Sequence, residues 1–336
     1  MRAAATDIRE IGFLLLPGFA LMSFAAATEP YRAANLLARR ALYRLRFFGE
    51  ANRISASGGA LMPAEPLSGA GSGLDVLFTC AGGSPADWRS ERVDACLRRL
   101  ASEGVRLGGI SGGPYVLAAA GLMKGRRFTI HWEHAPALVE AFPDLKPERA
   151  RFVIDGDRLT CGGGIAPLDM MYALIAESMG EDFARRVSDW FLHTEIGASG
   201  GPQRSSTAER YHAYHSALVK ALDKMAATVE APLSRASMAR FVGISERHLD
   251  RLFAERVGAT FAAEYRELRL QHALTLLQQS PLRVSEIAFA TGFSSAGHLS
   301  RRFKERFGES PHKLRVSKAT RSGRLHEDAS AGGRGS

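Results

Sequence analysis

The sequence predicts two domains of different class: an α/β domain with a parallel sheet flanked by helices, then an all-α domain with two helix-turn-helix units. Short apolar runs alternate with helical patterns through the first 195 residues, which is typical of strands connected by helices. One phrase near the C-terminus occurs twice, at Ser245–Gly258 and Ser295–Gly308. Residues 197–208, rich in glycine, serine and proline, predict a linker between the domains.

The α/β domain is expected over residues 8–196. The strand candidates are apolar runs of strand length: Ile11–Leu16, Tyr43–Phe48, Leu74–Cys80, Arg106–Ile110 and Phe128–Ile130. Helical patterns lie between or after them, at Met22–Leu37, Val93–Glu103, Pro114–Ala120 and Ala166–Met179. Phe152–Cys161 holds an Asp-Gly turn between apolar flanks, which predicts a hairpin.

The repeated phrase predicts two similar amphipathic helices. In each copy a His-Leu pair is followed by a phenylalanine four residues after the leucine, which places both apolar side chains on one helix face. A shorter helix precedes each copy, at Ser237–Val242 and Val284–Ala290, and ends at Gly243 or Gly292. Glycine supplies the positive φ of a tight turn, and a serine caps the next helix. Helix, glycine turn and capped helix together predict a helix-turn-helix.

Charge indicates a polyanionic partner for the C-terminal domain. Residues 206–336 hold 21 Lys and Arg against 13 Asp and Glu, so this part carries eight of the nine net positive charges. Basic side chains that neutralise phosphates release condensed counterions, which makes binding to DNA strong and salt-dependent.

The motifs Ile287–Ser295 and His298–Arg315 resemble the signature of AraC/XylS-type transcription regulators. The resemblance covers about the last third of the chain. It implies a DNA-binding domain over residues 209–318, in which a long helix at Phe261–Gln279 joins the two units and the recognition helices enter successive major grooves about 34 Å apart. The polar, glycine-rich residues 319–336 are expected to be a disordered tail.

We expect DNA contacts from the first half of each recognition helix, because side chains there approach base edges. Arg302 and Lys304 suit phosphates equally well. For the basic residues the alternative is a solvated helix face, and for the two histidines it is packing against the turn. The expected DNA-binding residues are Ser245, Arg247, His248, Arg251, Ser294, Ser295, Gly297, His298, Arg301, Arg302 and Lys304.

Composition narrows the other classes of function. At 336 residues and 46% hydrophobic content, the chain is long enough for two cores. No apolar run is long enough to span a bilayer and Ile11–Leu16 does not read as a signal peptide, so a cytoplasmic protein is expected. The three cysteines, Cys80, Cys96 and Cys161, are scattered, which predicts neither a disulfide framework nor a metal site. No cofactor is expected.

A glycine-bounded turn at Gly108–Gly113 follows a strand and precedes a helix. This pattern places Ser111 on a sharp elbow at the sheet edge. Gly109–Gly113 also matches the G-x-S-x-G of hydrolases, which alone is a weak signal.

Residues 10–195 resemble the PfpI-like branch of the class I glutamine amidotransferase fold, a flavodoxin-like fold. The resemblance rests on Pro17–Phe19, the elbow, Ala118–Leu122, Thr129–Trp132 and Gly162–Asp169. Catalytic members carry an elbow cysteine, an acid from the first crossover helix and a histidine. Here those positions hold Ser111, Ser23 and His131, which argues against covalent catalysis because a serine needs a base. The alternative is a Ser111/His131 amidase or hydrolase in which Asp169 or Glu133 orients the histidine.

Residues 13–35 resemble the subgroup of these regulators that senses glycine betaine, carnitine or arginine. The resemblance implies a non-catalytic pocket for a small nitrogenous metabolite, lined by aromatic, acidic and elbow residues. Core packing is the alternative for Phe19 and Tyr115, and an exposed helix carboxylate for Glu29. The expected ligand-binding residues are Phe19, Ser23, Glu29, Ser111, Gly112, Tyr115, His131, Trp132 and Glu133.

The whole chain therefore predicts a ligand-responsive activator that binds double-stranded promoter DNA, with RNA polymerase as a partner. A homodimer is expected through helices 166–179 and 181–195, although Met170, Met171, Leu174, Trp190 and Phe191 equally suit helices that cover a sheet. A third interpretation is an architectural DNA binder that responds to no ligand.

Overall fold

The computed structural model describes residues 8–71, 73–205, 207–211 and 215–316. The chain divides into two units, Met1–Gln203 and Arg204–Ser336, which we call the sensor unit and the reader unit. The predicted tail, 319–336, lies outside the described residues.

A seven-stranded sheet forms the centre of the sensor unit, in the order β5-β2-β1-β6-β7-β9-β8. Neighbouring strands are parallel except β8 and β9, which form the predicted antiparallel hairpin. β3 and β4 pair separately. The strands are β1 Arg9–Leu15, β2 Tyr43–Gly49, β3 Arg53–Ser55, β4 Leu61–Pro63, β5 Glu65–Pro66, β6 Val76–Ala81, β7 Arg106–Ser111, β8 Phe152–Asp155 and β9 Arg158–Cys161.

Helices cover both faces of this sheet. They are α1 Leu21–Ala38, α2 Glu91–Ser102, α3 Gly113–Ala119, α4 Ala135–Ala141, α5 Ala166–Met179 and α6 Glu181–Trp190. One core packs α1, α5 and α6 against the sheet, and the other packs α2, α3 and α4. Phe13 points into the first core and Leu14 into the second, since successive strand side chains alternate between faces. This is the predicted α/β class.

Met170, Met171 and Leu174 of α5 are buried in the first core, whereas the ring of Trp190 on α6 is about half exposed. The first three residues thus cover the sheet, as the alternative interpretation of that pattern stated.

The predicted strand at Phe128–Ile130 is wrong. Thr129 makes a single bridge to Glu148, and its hydroxyl is turned to the carbonyl oxygens of Glu148 and Ala150, each at 2.8 Å. The segment is therefore a buried connection that leads directly into residues 131–134.

The first part of the predicted linker is irregular, as its composition indicates, but it is bound to the sensor unit. Gly197 N–H donates to Asp169, and the carbonyl of Ser199 accepts from the backbone of Arg151 and Phe152. These contacts hold residues 197–203 against the α/β fold.

The reader unit is all helical in its described part. Its helices are α7 Thr207–Arg210, α8 Ser216–Ala227, α9 Arg235–Val242, α10 Glu246–Leu252, α11 Phe261–Gln279, α12 Val284–Ala290 and α13 Ala296–Phe307. A π-helical turn, Phe253–Val257, continues α10. The predicted central helix thus has the expected bounds. Its first half packs into a core with α8, α9 and α10, and its second half packs with α12 and α13.

Both helix-turn-helix turns have the predicted chemistry. Gly243 and Gly292 adopt φ values of 77° and 69°, in the left-handed region. The turn at Gly292 is also tightly packed, because a Cβ there would lie 2.7 Å from the carbonyl oxygen of Val229. Arg269 of α11 donates to the carbonyl of Thr291 at 2.8 Å and also to that of Gly292, and so fixes this turn to the central helix.

Candidate effector pocket and DNA interface

Ser111 lies at the carboxyl end of β7, where the chain turns sharply into α3. Its φ of 59° is in the left-handed region, which few residues other than glycine adopt. The amide of Gly112 donates to the carbonyl of Ala81 at 3.1 Å, which fixes the turn to β6. The predicted elbow is therefore present, and Ser111 is 5% exposed.

The two glycines after Ser111 are required by close packing. A Cβ on Gly112 would lie 2.2 Å from the Trp88 ring, and a Cβ on Gly113 would lie 2.0 Å from the carbonyl oxygen of Thr79. Trp88 is itself held by a hydrogen bond from its indole nitrogen to the carbonyl of Gly82, at 2.8 Å. The strand-to-helix turn is thus shaped by backbone contacts that no larger residue would permit.

Ser23 lies close to the elbow, as its alignment with the lost acid predicts. Its hydroxyl accepts a hydrogen bond from the amide of Gly164 at 2.8 Å, and the side chain is buried. Gly163, in the same turn, would place a Cβ 2.8 Å from the Ser111 Cβ. Ser23 therefore holds the 162–164 turn against the elbow, and supplies no carboxylate.

His131 lies beside the elbow, where its amide donates to the carbonyl of Ser111 at 3.2 Å. Burial, reinforced by the neighbouring His134, lowers the pKa of His131 to about 4, although Glu133 acts in the opposite direction. The Nδ1 atom accepts from the amide of Glu133 at 3.3 Å, which leaves the proton of the neutral ring on Nε2. Within the described residues, no hydrogen bond joins the Ser111 hydroxyl to this ring.

The structure contradicts a triad through Asp169. This carboxylate is fully buried in the first turn of α5, where it accepts from Arg151 Nε at 2.8 Å, His193 Nε2 at 2.8 Å and the amide of Gly197 at 2.7 Å. Its lone pairs are committed to these donors, so Asp169 does not orient His131. The sequence offered no signal for the pairing with His193, which lies 24 residues away.

Cys161 is the thiol next to the elbow. It is fully buried, and burial raises its pKa to about 12, although backbone hydrogen bonds with Gly163 and Ser111 act against this. A thiol with so high a pKa carries almost no thiolate at neutral pH. Cys161 is therefore structural and does not replace the missing elbow cysteine.

Two predicted aromatic ligand contacts have structural roles in this conformation. Phe19 has no exposed surface and packs its ring against Phe24, with centroids 5.2 Å apart. Tyr115 is 4% exposed and packs against Trp88 and Phe142. These two aromatic side chains belong to the cores, as the alternative interpretation stated for them.

Glu29 is half-exposed on α1 and pairs with Arg32, with Oε2 2.7 Å from Arg32 Nε. It follows Ser23 by six residues, which places it about 240° further round the helix. The carboxylate therefore faces away from the elbow, and its predicted ligand contact is corrected to a helix-surface ion pair.

Trp132 and Glu133 lie in the turn between His131 and α4. The Trp132 ring is 42% exposed and lies 5.4 Å from the His131 ring. Glu133 is partly buried, and its charge raises the pKa of His131. Ser111, His131, Trp132 and Glu133 are thus grouped around one elbow, with a hydroxyl that has no side-chain partner among the described residues, a neutral imidazole, an exposed aromatic side chain and a carboxylate.

Ser245 and Ser295 cap the two recognition helices. Their hydroxyls accept from the amides of His248 and His298, at 3.2 and 3.1 Å. Ser294 has a different role, because its hydroxyl lies 3.1 Å from Nδ1 of His298. The His298 ring also packs edge-on against Phe293, which favours the structural alternative stated for this histidine.

Four cationic side chains on the recognition helices are exposed and have no ion-pair partner among the described residues: Arg247, Arg251, Arg301 and Lys304. Gly297 is exposed beside them, whereas the ring of His248 lies 5.7 Å from that of His215. Arg302 differs because it pairs with Glu305 at 2.9 Å. An open groove, which Arg266 of α11 and Arg302 of α13 both line, adds a cation that the sequence interpretation did not name.

Comparison with known proteins agrees with both halves of this description. Residues 50–177 match the DJ-1/PfpI family, and residues 238–317 match a helix-turn-helix domain family. The chain is 54% identical over 318 residues to the HTH-type transcriptional regulator GlxA of Rhizobium meliloti, covering 93% of this chain and 98% of that protein. The chain belongs to the helix-turn-helix transcriptional regulators that carry a DJ-1/PfpI domain.

Two further similarities extend the assignment of this regulator. It is 37% identical over 315 residues to the HTH-type transcriptional regulator CdhR of Pseudomonas aeruginosa, covering 92% of each chain. A crystal structure of an AraC family transcriptional regulator from Pseudomonas putida matches with a TM-score of 0.50 and 26% identity, covering 55% of this chain and 99% of that one. The predicted AraC-type reader with a PfpI-like domain is confirmed.

The described residues of this regulator contain neither a candidate membrane span nor a candidate metal site. None of those helices combines the length and the apolar character that a membrane crossing requires. Nor does this part of the chain bring together three His, Cys, Asp or Glu side chains in a way that would hold a metal ion.

Proposed function

We propose that this regulator is a ligand-responsive activator whose sensor unit binds a small nitrogenous metabolite without reacting with it. The observation that carries the proposal is that Ser111 keeps the elbow conformation of a nucleophile but has no base hydrogen-bonded to its hydroxyl among the described residues. His131 makes no bond to its hydroxyl, and Asp169 is committed to Arg151 and His193. A serine hydroxyl is a poor nucleophile unless a neighbouring base takes its proton.

The same groups suit a bound ligand. With its proton on Nε2, the neutral His131 ring donates a hydrogen bond to an oxygen, such as that of a ligand carboxylate. The exposed Trp132 ring offers a face for a ligand cation, and Glu133 supplies a negative charge nearby. A zwitterion such as glycine betaine, carnitine or arginine has both charges. Ser111, with its hydroxyl free, completes the proposed contacts.

The reader unit supports promoter recognition. Arg247, Arg251 and Arg301 are proposed to contact base edges, and Lys304 to contact phosphate, because all four are exposed and unpaired in the described structure. We infer that the protein acts as a homodimer in the cytoplasm and contacts RNA polymerase as an activator. The homodimer, the cytoplasmic location and the contact with RNA polymerase are inferred from the class of regulator to which the chain belongs.

A turnover assay tests whether the sensor unit is catalytically inactive. Purified full-length protein and its Ser111→Ala variant are incubated with a broad panel of amide and ester substrates. We expect no turnover above the Ser111→Ala control at any pH between 5 and 9. Hydrolysis that Ser111→Ala abolishes would instead establish a serine hydrolase with an appended DNA-binding domain.

A further inference from the structure

The chain that leaves α6 is attached to the sensor unit at two places. At the first, the buried Asp169 binds the His193 ring and the Gly197 amide, and Ser199 follows alongside Arg151. At the second, the side chain of Gln203 enters a slot beside the elbow. We call residues 193–203 the strap.

The slot binds both ends of the Gln203 carboxamide. Its nitrogen lies 2.9 Å from Thr129 Oγ1, 3.0 Å from the carbonyl of Ile130 and 2.6 Å from that of Ala150. Its oxygen accepts from the amide of Trp132 at 2.8 Å. The slot therefore presents three acceptors to one end and one donor to the other. A carboxamide fits this arrangement, with its two N–H groups shared among the three acceptors, and a carboxylate or thioether does not.

Another wall of the slot is formed by Gly162, which has no side chain. A Cβ on Gly162 would lie 2.6 Å from Cδ of Gln203. Gly162 immediately follows Cys161 at the end of β9, so the slot opens at the same edge of the sheet as Ser111. Gln203 as a whole is half-buried, but its carboxamide group is closely surrounded, although it belongs to a segment without regular structure.

The position of Gln203 joins two parts of the regulator. Through Trp132 it holds the 131–133 turn, which carries the proposed effector contacts. Along the chain it is the last residue of the sensor unit, and Arg204 begins the reader unit. One side chain therefore touches the proposed effector turn and fixes the start of the connection to the reader.

We propose that Gln203 is a latch that couples the effector turn to the strap. It is a positioning residue: it orients the Trp132 backbone, and its release frees both the 129–133 segment and residues 197–203. The inference rests on the proposed effector pocket for its biological meaning. An effector that binds differently to the closed and open turn shifts the latch equilibrium, and DNA binding shifts effector affinity by the same factor.

The test uses full-length protein without effector. Gln203→Met keeps most of the volume and removes every hydrogen bond, whereas Gln203→Glu keeps the shape and turns an oxygen towards three acceptors. Gly162→Ala pushes a methyl group into the slot from the opposite wall. Gln271→Met is the matched control, because Gln271 is exposed on α11 and its side chain bonds only Glu267 among the described residues.

Two measurements are made on each variant: amide hydrogen exchange, and affinity for a duplex selected from a random library by the wild-type protein. We expect exchange in residues 129–134 and 197–203 to rise together by about tenfold or more in the three slot variants. DNA affinity should change by about threefold or more in the same variants, and neither quantity should change in Gln271→Met.

The latch is refuted if the two segments exchange independently, or if both open while DNA affinity stays within about twofold of wild type. Three variants that reach the slot from different sides keep the test decisive if one does not fold. Neither readout needs an effector, so a failed search for an effector leaves the result interpretable and counts only against the proposed pocket.

Discussion

Ser111 shows how one residue can keep a catalytic conformation without catalytic chemistry. Its φ of 59° costs about 1 kcal/mol or more for a residue with a Cβ, and the close packing of Gly112, Gly113 and Gly163 maintains it. The elbow presents the hydroxyl and the adjacent backbone at the edge of the sheet, where α/β folds bind ligands. Because no described residue serves as its base, the elbow can still present the Ser111 hydroxyl to a ligand but does not activate it.

His131 gives a prediction for the pH dependence of stability. Its pKa of about 4 lies below the 6.5 of an unfolded histidine, so between these values the unfolded state binds more protons. The stability that the neutral ring contributes is therefore complete above pH 6.5 and is lost as the pH falls towards 4. We expect wild type to lose about 1 to 3 kcal/mol more than His131→Gln between pH 7 and 4.5, measured by urea unfolding. Parallel stability curves for the two proteins would contradict the neutral assignment.

Arg301 and Lys304 separate the two kinds of DNA contact. Arg301→Ala should weaken binding to a selected duplex by about 1 to 3 kcal/mol, with a smaller loss on random DNA, because a base contact is removed. Lys304→Ala should weaken binding to the selected and the random duplex alike. It should also reduce the slope of log affinity against log salt concentration by about one unit. Fluorescence anisotropy titrations at several salt concentrations measure both. Equal losses for Arg301→Ala on the two duplexes would assign Arg301 to the phosphates.

Among the elements, the two recognition helices are alike at their beginnings and different at their ends. Each begins at a serine cap, but the first changes from α10 into a π-helical turn at Phe253 while α13 remains α-helical to Phe307. The repeated phrase predicts the shared beginning. No spacing in the sequence indicates the wider turn, and burial of the phenylalanine does not explain it, because Phe253 and its counterpart Phe303 are both fully buried.

A matched pair of serines tests the cap of α13. Ser295→Ala should lower the unfolding free energy of the reader by about 1 kcal/mol, because an amide in the first turn loses its acceptor. Ser294→Ala should cost only a few tenths of a kcal/mol, since Ser294 caps no amide and contacts the His298 ring. Chemical unfolding followed by circular dichroism compares them. A larger loss for Ser294→Ala would show that the cap has been assigned to the wrong residue.

The elements that the sequence predicted are those with strong periodicity and clear ends. The bounds of α5, α11 and α12 agree with Ala166–Met179, Phe261–Gln279 and Val284–Ala290. Phe128–Ile130 failed because three apolar or β-branched residues look alike in a strand and in a buried connection. Hydrophobic periodicity does not show which hydrogen-bond partner a backbone N–H or C=O group has in the folded protein.

The candidate site was predicted less completely than the fold. Motif spacing located Ser111, Ser23 and His131 around one elbow, because the ends of parallel strands meet there. It did not show that Phe19 and Tyr115 face the cores, or that Glu29 points away. The contacts of Asp169 and Gln203 depend on tertiary packing between distant segments. The glycine-rich composition of the strap predicted a linker and gave no sign that the strap packs against the sensor unit.

On the scale of the whole molecule, two units with separate cores predict two unfolding transitions. An effector binds only the folded sensor unit, and at about 100 times its Kd it adds about 2.7 kcal/mol to that unit. We therefore expect glycine betaine, carnitine or arginine to raise one calorimetric transition, and operator DNA to raise the other. Calorimetry of the full-length protein with each compound measures this. If the whole panel left both transitions unchanged, the proposed class of effector would be wrong.

The close packing of Gly292 against the Val229 carbonyl, together with the hydrogen bonds from Arg269, fixes the second helix-turn-helix turn both to the chain that follows α8 and to α11. With one core at each end of α11, we expect the protein, and not the duplex, to set the distance between the two recognition helices. Helical phasing then becomes part of recognition. Since the duplex turns once in about 10 base pairs, inserting about five between the half-sites carries one to the far side, where the second helix no longer reaches it.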